Sequence, residues 1–243
     1  MSIHTLQLHF DLPLQPQEVF DFRGAFIHFA NKSKLKEEEK SIFSNRQTGT
    51  QDAKGRVIER YPKIQYRVSG GRAAIWSVND GVVALDQLMR ENQFDQFTLY
   101  GRPMPMQIIQ KDLMNWPEVG IEPEKSYEYI CHGMLPFNEE KEIRYQHCTT
   151  YREKITLLEQ ILLNETVLLT YALGIDNKKP IHLELTDIAD TGFALYKTKD
   201  AKGRYVELYP RYFTVGFRTN FRLPQGISLG RHKAYGYGQV QVL

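Results

Sequence analysis

Near the end of the sequence, Leu223 to Val240 gathers Arg231, His232 and Lys233 between four glycines, Gly226, Gly230, Gly236 and Gly238, with Tyr235 and Tyr237 interleaved. Glycine admits positive φ and lets the backbone come close to a partner without a Cβ in the way, so such a loop can turn N–H groups toward an anion. From Leu208 to Leu243 there is no Asp or Glu, while Arg211, Arg218, Arg222, Arg231 and Lys233 supply five positive charges. The chemistry this pattern suits is contact with phosphate or RNA. Arg231 and Lys233 would meet phosphate, with Arg218 and Arg222 in the same basic stretch. Gly230, Gly236 and Gly238, with Gly226 in the same loop, would present backbone donors, and Tyr235 or Tyr237 would stack on an unpaired base. The plain alternatives are a surface hairpin whose glycines serve only the turn, and tyrosines that pack on a strand.

Cys131-His132 and His147-Cys148 pair a thiol with an imidazole, donors that zinc takes. If Tyr127 to Met134 is a strand, neighbouring side chains leave on opposite faces, so Cys131 and His132 would not reach one ion and no metal is expected. With only these two cysteines, a disulfide framework is excluded. His28 falls at helical spacing with Asp21, Gly24, Asn31 and Lys32, away from the apolar stripe of its helix. It reads either as a solvated histidine or as an acid/base group facing a cleft.

The elements that would hold these groups follow from periodicity. Ile3 to Leu12 alternates, with Leu6, Leu8, Phe10 and Leu12 on one face and Thr5, Gln7, His9 and Asp11 on the other, as a half-buried strand does. Pro16 suits the first turn of a helix whose stripe is Val19, Phe20, Phe22, Phe26, Ile27 and Ala30. Lys34 to Lys40 is a charge run suited to a solvated helix end or loop. Arg56 to Val68 and Arg72 to Val78 read as strands joined at Gly70-Gly71. Asn79 or Asp80 caps a helix with Val82, Leu85 and Met89 inward, and Phe94 to Tyr100 reads as a further strand. The first half is thus β-α-β-β-α-β, the ferredoxin-like order.

Asn115 to Ser126, with Pro117, Gly120 and Pro123, is the linker, dividing the chain into domains of residues 1–118 and 119–243. Beyond it, Tyr127 to Met134 is a strand, and Thr150 with Glu153 forms a capping box for a Leu-rich helix that ends at Gly174. Strands follow at Pro180 to Leu185, Gly192 to Thr198, Arg204 to Leu208 and Tyr212 to Phe221. The fold class expected is α+β, two tandem ferredoxin-like (RRM-like) domains with antiparallel sheets, the second carrying the Gly-rich RNA-binding loop.

An internal repeat points the same way. Asp52-Ala53-Lys54-Gly55-Arg56-Val57-Ile58-Glu59-Arg60-Tyr61-Pro62 recurs as Asp200-Ala201-Lys202-Gly203-Arg204-Tyr205-Val206-Glu207-Leu208-Tyr209-Pro210, the same at eight of eleven positions. Tandem duplication would place both copies at the hairpin between the second and third strands of a ferredoxin-like unit; convergence on a good turn sequence is the alternative. At 243 residues the chain is long enough for one large domain or two small ones. Its 31 basic and 29 acidic residues nearly cancel, so an anionic partner must be met by a local patch. No leader pattern opens the sequence, and its densest apolar run, Ile161 to Leu173, is broken by Asn164, Glu165 and Thr170. A soluble, cytoplasmic protein with no membrane partner is expected.

Three blocks carry a resemblance. They are Tyr61-Pro62-Lys63-Ile64-Gln65-Tyr66 with the following hairpin and Asn79-Asp80-Gly81; the helix end Ile161 to Gly174; and Phe217 to Val240 with its Gly-rich loop. In these the sequence resembles the CRISPR repeat-processing endoribonucleases of the RAMP superfamily. Members often carry His-Asn-His shortly before the Tyr-Pro block, where the catalytic histidine would fall; here Phe43-Ser44-Asn45-Arg46 stands in that place, keeping Asn45. The resemblance implies a CRISPR repeat transcript as partner, other CRISPR effector subunits and a homodimer as further partners open to it, and no cofactor. It implies hydrolase-class, metal-independent crRNA processing: a 2′-hydroxyl attacks the adjacent phosphate and leaves a 2′,3′-cyclic phosphate. Arg46 would stabilise the phosphorane, Ser44 or Tyr61 would bond a phosphate oxygen, and His28 or His232 would serve as acid or base. A non-catalytic RNA-binding or architectural subunit, and a two-domain protein for a small ligand, stay open on these residues.

Overall fold

In the computed structural model, residues 2–51, 57–59, 61–91, 94–175, 179–199 and 203–243 are described. They divide into two compact units, Ser2–Trp116 and Pro117–Leu243. The first runs β1 (Ile3–Pro13), α1 (Val19–Lys32), α2 (Glu37–Ser44), β2 (Arg46–Gln51), β3 (Val57–Glu59), β4 (Ile64–Ser69), β5 (Arg72–Val78), α3 (Asp80–Glu91), β6 (Thr98–Leu99), β7 (Arg102–Pro103) and β8 (Ile108–Trp116). Its sheet has the order β4-β5-β1-β8, antiparallel throughout. With α1 between β1 and β4 and α3 between β5 and β8, this is the ferredoxin-like order, with α2 and the β2–β3 hairpin inserted.

The alternation read in β1 holds. Leu6, Leu8 and Phe10 are fully buried beneath the helices, and α1 buries Val19, Phe22, Phe26 and Ala30 against them. Phe10, Phe22, Phe26 and Tyr66 meet edge-on or tilted, with Phe26–Tyr66 centroids 5.8 Å apart and Phe10–Phe94 5.4 Å. Such pairs add about 0.5–1.5 kcal/mol each beyond the area they bury.

Four expectations for this unit change. Arg56 to Val68 is not one strand: Val57–Glu59 and Ile64–Ser69 are separate, with Pro62, which has no N–H to give a ladder, between them. Phe94–Gln96 is a 3₁₀ turn, and only Thr98–Leu99 of the expected strand is extended. Phe94 and Phe97 are both buried in the aromatic core, and a turn with three residues per repeat places both on one side where a strand would send them apart. The fourth strand is instead β8, whose Ile109, Leu113 and Met114 are exposed, so it shows no one-sided apolar pattern. Leu85 points inward from α3 as expected, but its partners are Gly81, Ala84 and Leu88, with Val82 and Met89 half-buried.

The second unit runs β9 (Gly120–Ile121), β10 (Tyr127–Met134), α4 (Glu139–His147), α5 (Tyr151–Leu173), β11 (Leu183–Phe193), β12 (Tyr196–Lys199), β13 (Tyr205–Leu208), β14 (Arg211–Thr219), β15 (Phe221–Arg222) and β16 (Gln239–Val242). Its sheet is β11-β14-β10-β16, again antiparallel and ferredoxin-like in order. The box at the head of α5 forms as read: Thr150 Oγ1 accepts from Glu153 N, Glu153 caps in return, and Gly174 closes the helix at φ +70°. Residues 220–238, where a second helix would lie, contain β15 and one 3₁₀ turn (Lys233–Tyr235) and no α-helix.

The repeated hairpin occupies two different places. Its turn in the first copy, Asp52–Arg56, and Asp200–Lys202 in the second lie outside the described residues. The flanking strands decide the matter. β2 pairs with β3 ahead of β4, before the second core strand, whereas β12 pairs with β13 between β11 and β14, the second and third. Copies produced by duplication of a whole unit would sit at one topological point, so shared turn chemistry is the better account.

Two substitutions separate packing from capping. A Cβ on Gly81 would lie 2.3 Å from the Lys63 carbonyl oxygen, so Gly81→Ala is expected to cost about 3 kcal/mol as β4 is pushed from α3. Thr150→Ala is expected to cost about 1 kcal/mol. Urea midpoints of the full chain, followed by fluorescence and circular dichroism, give both values.

Candidate functional site

The Gly-rich segment is a partly buried structure built on backbone hydrogen bonds. Leu229 N donates to Gly238 O at 2.8 Å, Val240 N to Ile227 O at 2.7 Å, Gly226 N to Val240 O at 2.8 Å and Arg231 N to Leu135 O at 2.8 Å. Gly236 N donates to Lys233 O and Gly238 N to Gly133 O. The N–H groups of Gly226, Gly236 and Gly238 therefore serve the chain itself. A Cβ on Gly238, at φ +72°, would stand 1.8 Å from Leu229 O, and one on Gly230, at φ +93°, 2.8 Å from Met134 Cγ. These two glycines are needed for close approach of one segment to another.

Charge changes its meaning in three dimensions. Lys233 Nζ lies 2.6 Å from Glu165 Oε2 of α5 and also donates to Gly230 O, both side chains of the pair being largely buried. Arg218 bonds Glu128 at 2.6 Å, Arg211 lies 3.4 Å from Glu142, and Arg222 pairs with Glu118. A stretch without acid in sequence is thus matched by carboxylates from α4, α5, β10 and the segment before β9. Arg231 is exposed, and its guanidinium donates to the Phe137 carbonyl at 2.9 Å.

Around Lys233 the rings close in. His232, at φ +55°, stacks on Tyr196 with centroids 4.0 Å apart, and Tyr235 meets Tyr196 edge-on at 5.4 Å. Tyr237 donates to the Leu195 carbonyl, and burial raises its hydroxyl above the usual phenol range. Burial, with Arg231 and Lys233 beside it, pulls His232 down to about 4. Cys131 is buried, its thiol 3.4 Å from Gly238 O and pushed up to about 12 by burial, while His132 is exposed beside Gln241. The opposite-face reading of that pair holds.

In the first unit Ser44, Asn45 and Arg46 form the junction of α2 and β2. Asn45 is the left-handed cap at φ +59°, and Arg46 opens β2 opposite Glu59. Two side chains fix the carbonyls before this turn: Tyr66 Oη donates to Phe43 O at 3.2 Å and Arg23 Nη2 to Ser44 O at 2.8 Å. Ser44 Oγ donates to Ser41 O at 3.0 Å. Tyr61 Oη accepts from Gln65 Nε2 at 3.1 Å, Gln65 Oε1 accepts from Arg67, and Arg67 stands 5.0 Å from the Trp76 ring centroid. Burial brings Arg67 down to about 9, so it is still a cation at neutral pH. His28 lies on the exposed face of α1. Arg23, Gln65 and Arg67 were not legible as site residues; Arg67 carried the one signal, a charge in the register of a buried strand face.

Two four-stranded sheets of matching order, the second with a glycine-built segment in place of its second helix, define a tandem ferredoxin-like protein. Residues 1–115 match the Cas6b N-terminal domain and residues 121–243 the Cas6b C-terminal domain. The chain belongs to the Cas6b family. A solved crystal structure of Cas6b superposes with a TM-score of 0.70 at 15% identity over 100% of both chains. One described as CRISPR RNA processing endoribonuclease Cas6b gives 0.62 at 15%, again over 100% of both. A type IV Cas6 crRNA endonuclease, Csf5, gives 0.54 at 13%, also over 100% of both. At these identities the likeness is one of fold. A sequence search of curated proteins returns no match.

The Lys233–Glu165 pair and His232 give two tests. Lys233→Met leaves the largely buried Glu165 uncompensated, and a loss of about 2–3 kcal/mol is expected, mostly recovered in the double variant Lys233→Met/Glu165→Leu. Because burial disfavours the imidazolium, the unfolded chain binds a proton on His232 that the folded chain refuses between pH 6.5 and about 4. The stability tied to neutral His232 is complete above 6.5 and is lost as pH falls toward 4. Melting curves between pH 7 and 4 should show a decline that His232→Phe makes shallower.

Proposed function

We propose that the chain is an endoribonuclease that binds and cleaves CRISPR repeat RNA without a metal cofactor. The observation carrying this reading is the match to both Cas6b domains along residues 1–115 and 121–243. In the reaction proposed, the 2′-oxygen loses its proton and bonds to the adjacent phosphorus. The bond from phosphorus to the 5′-oxygen breaks, and the leaving oxygen takes up a proton. The products are a 2′,3′-cyclic phosphate and a 5′-hydroxyl.

Arg46, placed directly after the left-handed Asn45, would offset the charge of the phosphorane. Tyr61, whose hydroxyl accepts from Gln65, would bond a phosphate oxygen. Ser44 would have to release the Ser41 carbonyl to do the same. His28 is exposed and is the acid/base candidate of its unit, whereas His232, neutral down to about pH 4, is a weak base. For binding, Arg231 is the more exposed of the loop's two cations, and Tyr235 would stack on an unpaired base. Lys233 supports them by holding the segment to α5. The replacement of both family histidines by Ser44 and Arg46 favours a second reading, a non-catalytic RNA-binding subunit.

One assay separates the two. The protein is incubated in EDTA with end-labelled repeat RNA from its own genome, and with the same RNA carrying single 2′-deoxy substitutions. Cleavage at one bond, abolished by one 2′-deoxy and slowed roughly 10²–10³-fold by Arg46→Ala, is the expected outcome. Tight binding with no product over hours makes the chain a binding subunit, and no binding refutes both readings.

A further inference from the structure

The corner between α4 and α5 holds a groove of about 650 Å³ that the reaction above does not use. Arg144 and His147 reach it from the last turn of α4, Cys148 from the connection, and Arg152, Thr156 and Gln160 from α5. Its charge differs in kind from that of the Gly-rich segment. Arg211, Arg218, Arg222 and Lys233 each stand within hydrogen-bond or ion-pair distance of a carboxylate, but Arg144 and Arg152 are exposed and have no ion-pair partner among the described residues. Lys154, one turn into α5, faces the Tyr145 ring at 5.3 Å and likewise has no carboxylate partner there. Glu153 is the acid in the lining. Its Oε2 accepts from Thr149 N at 2.8 Å and Thr150 N at 2.9 Å, so its charge is engaged in capping.

His147 adds a directional group. Its Nδ1 lies 2.7 Å from the Ile143 carbonyl oxygen, which can only accept, so Nδ1 carries the hydrogen and the neutral ring keeps Nε2 as an acceptor. An acceptor beside two guanidinium groups fits a ribose 2′-hydroxyl next to a phosphodiester. Tyr151, 71% exposed and adjacent to Arg152, offers a ring on which a base can stack. A line of contacts within the same unit joins the loop to this corner: Arg231 bonds Phe137 O, the buried Phe137 ring lies 4.9 Å from Tyr145, and Lys154 and Arg211 lie over the Tyr145 ring.

We infer that the α4–α5 groove binds the phosphodiester backbone of a single-stranded RNA segment outside the bond that is cut. The inference rests on the RNA-substrate reading above and extends it to the flank of the substrate. Arg144 and Arg152 hold successive phosphates, and His147 accepts from a 2′-hydroxyl.

The test compares the parent with Arg144→Gln/Arg152→Gln and with His147→Ala, by fluorescence anisotropy. The probes are repeat RNA carrying its single-stranded flanks and the same RNA trimmed to the nucleotides around the cut site. Both arginines are exposed, and equal melting temperatures will show that the fold is kept. The double variant is expected to bind the flanked RNA at least 10-fold more weakly, with the slope of log K against log salt reduced by about 1.4, roughly 0.7 for each phosphate that is no longer neutralised. Its binding and cutting of the trimmed RNA should match the parent. A 2′-deoxy flank should weaken the parent but leave His147→Ala unchanged. Equal affinity and slope for parent and double variant on flanked RNA overturn the inference, as does an equal loss on both RNAs, which marks a diffuse field. A parent that binds neither RNA refutes the substrate reading itself, and this inference with it.

Discussion

A segment packed into the fold without a helix must still satisfy its backbone, and in this protein the constraint falls on residues 220–238. The second helix of a ferredoxin-like unit would meet it internally. Here the hydrogen bonds run outward instead, to Gly133, Leu135 and Val240, and inward across the loop from Leu229 to Gly238. That arrangement forces two strands of coil closer than side chains allow, which is why Gly230 and Gly238 stand where they do. Lys233 then ties the outer turn to α5 through Glu165. The exposed Arg231 and the rings of His232 and Tyr235, which meet Tyr196 of β12, are carried on this frame.

The same frame explains what the linear sequence conveyed and what it did not. Local chemistry was readable: the Thr150–Glu153 box, the closing Gly174, the alternation of β1, the opposite faces of Cys131 and His132, and the position of the Gly-rich segment all depend on near neighbours. Partnership over distance was not. Glu165 lies 68 residues from Lys233 and Glu128 90 residues from Arg218, so the absence of acid after Leu208 described composition and said nothing of the field at the folded surface. Likewise the N–H groups of the glycines looked available only because their acceptors, Val240, Lys233 and Gly133, could not be placed.

Two of the errors in the first unit have different causes. Phe94 to Tyr100 has the residue types of a strand, but the core beneath α1 had room for both phenylalanines, and tertiary burial decided the local form. β8 took the strand's place and went unrecognised because neither of its faces is fully buried. The candidate site in that unit was legible at Ser44, Asn45, Arg46 and Tyr61. Its supports, Arg23, Tyr66, Gln65 and Arg67, come from α1 and β4 and have no mark in the motif itself.

β8 has a further consequence for how the molecule behaves in company. Its outer edge pairs with no strand among the described residues, and Ile109, Leu113 and Met114 lie open along nine residues. An edge of that length is a template on which another chain can add a strand, the first step of aggregation. Lys111 and Asp112 sit at its centre, and Lys111 is held by Asp86 of α3 at 3.0 Å. A strand arriving at that edge would have to settle beside those charges. At this edge the guard against strand addition is thus a pair of charges with no part in the site.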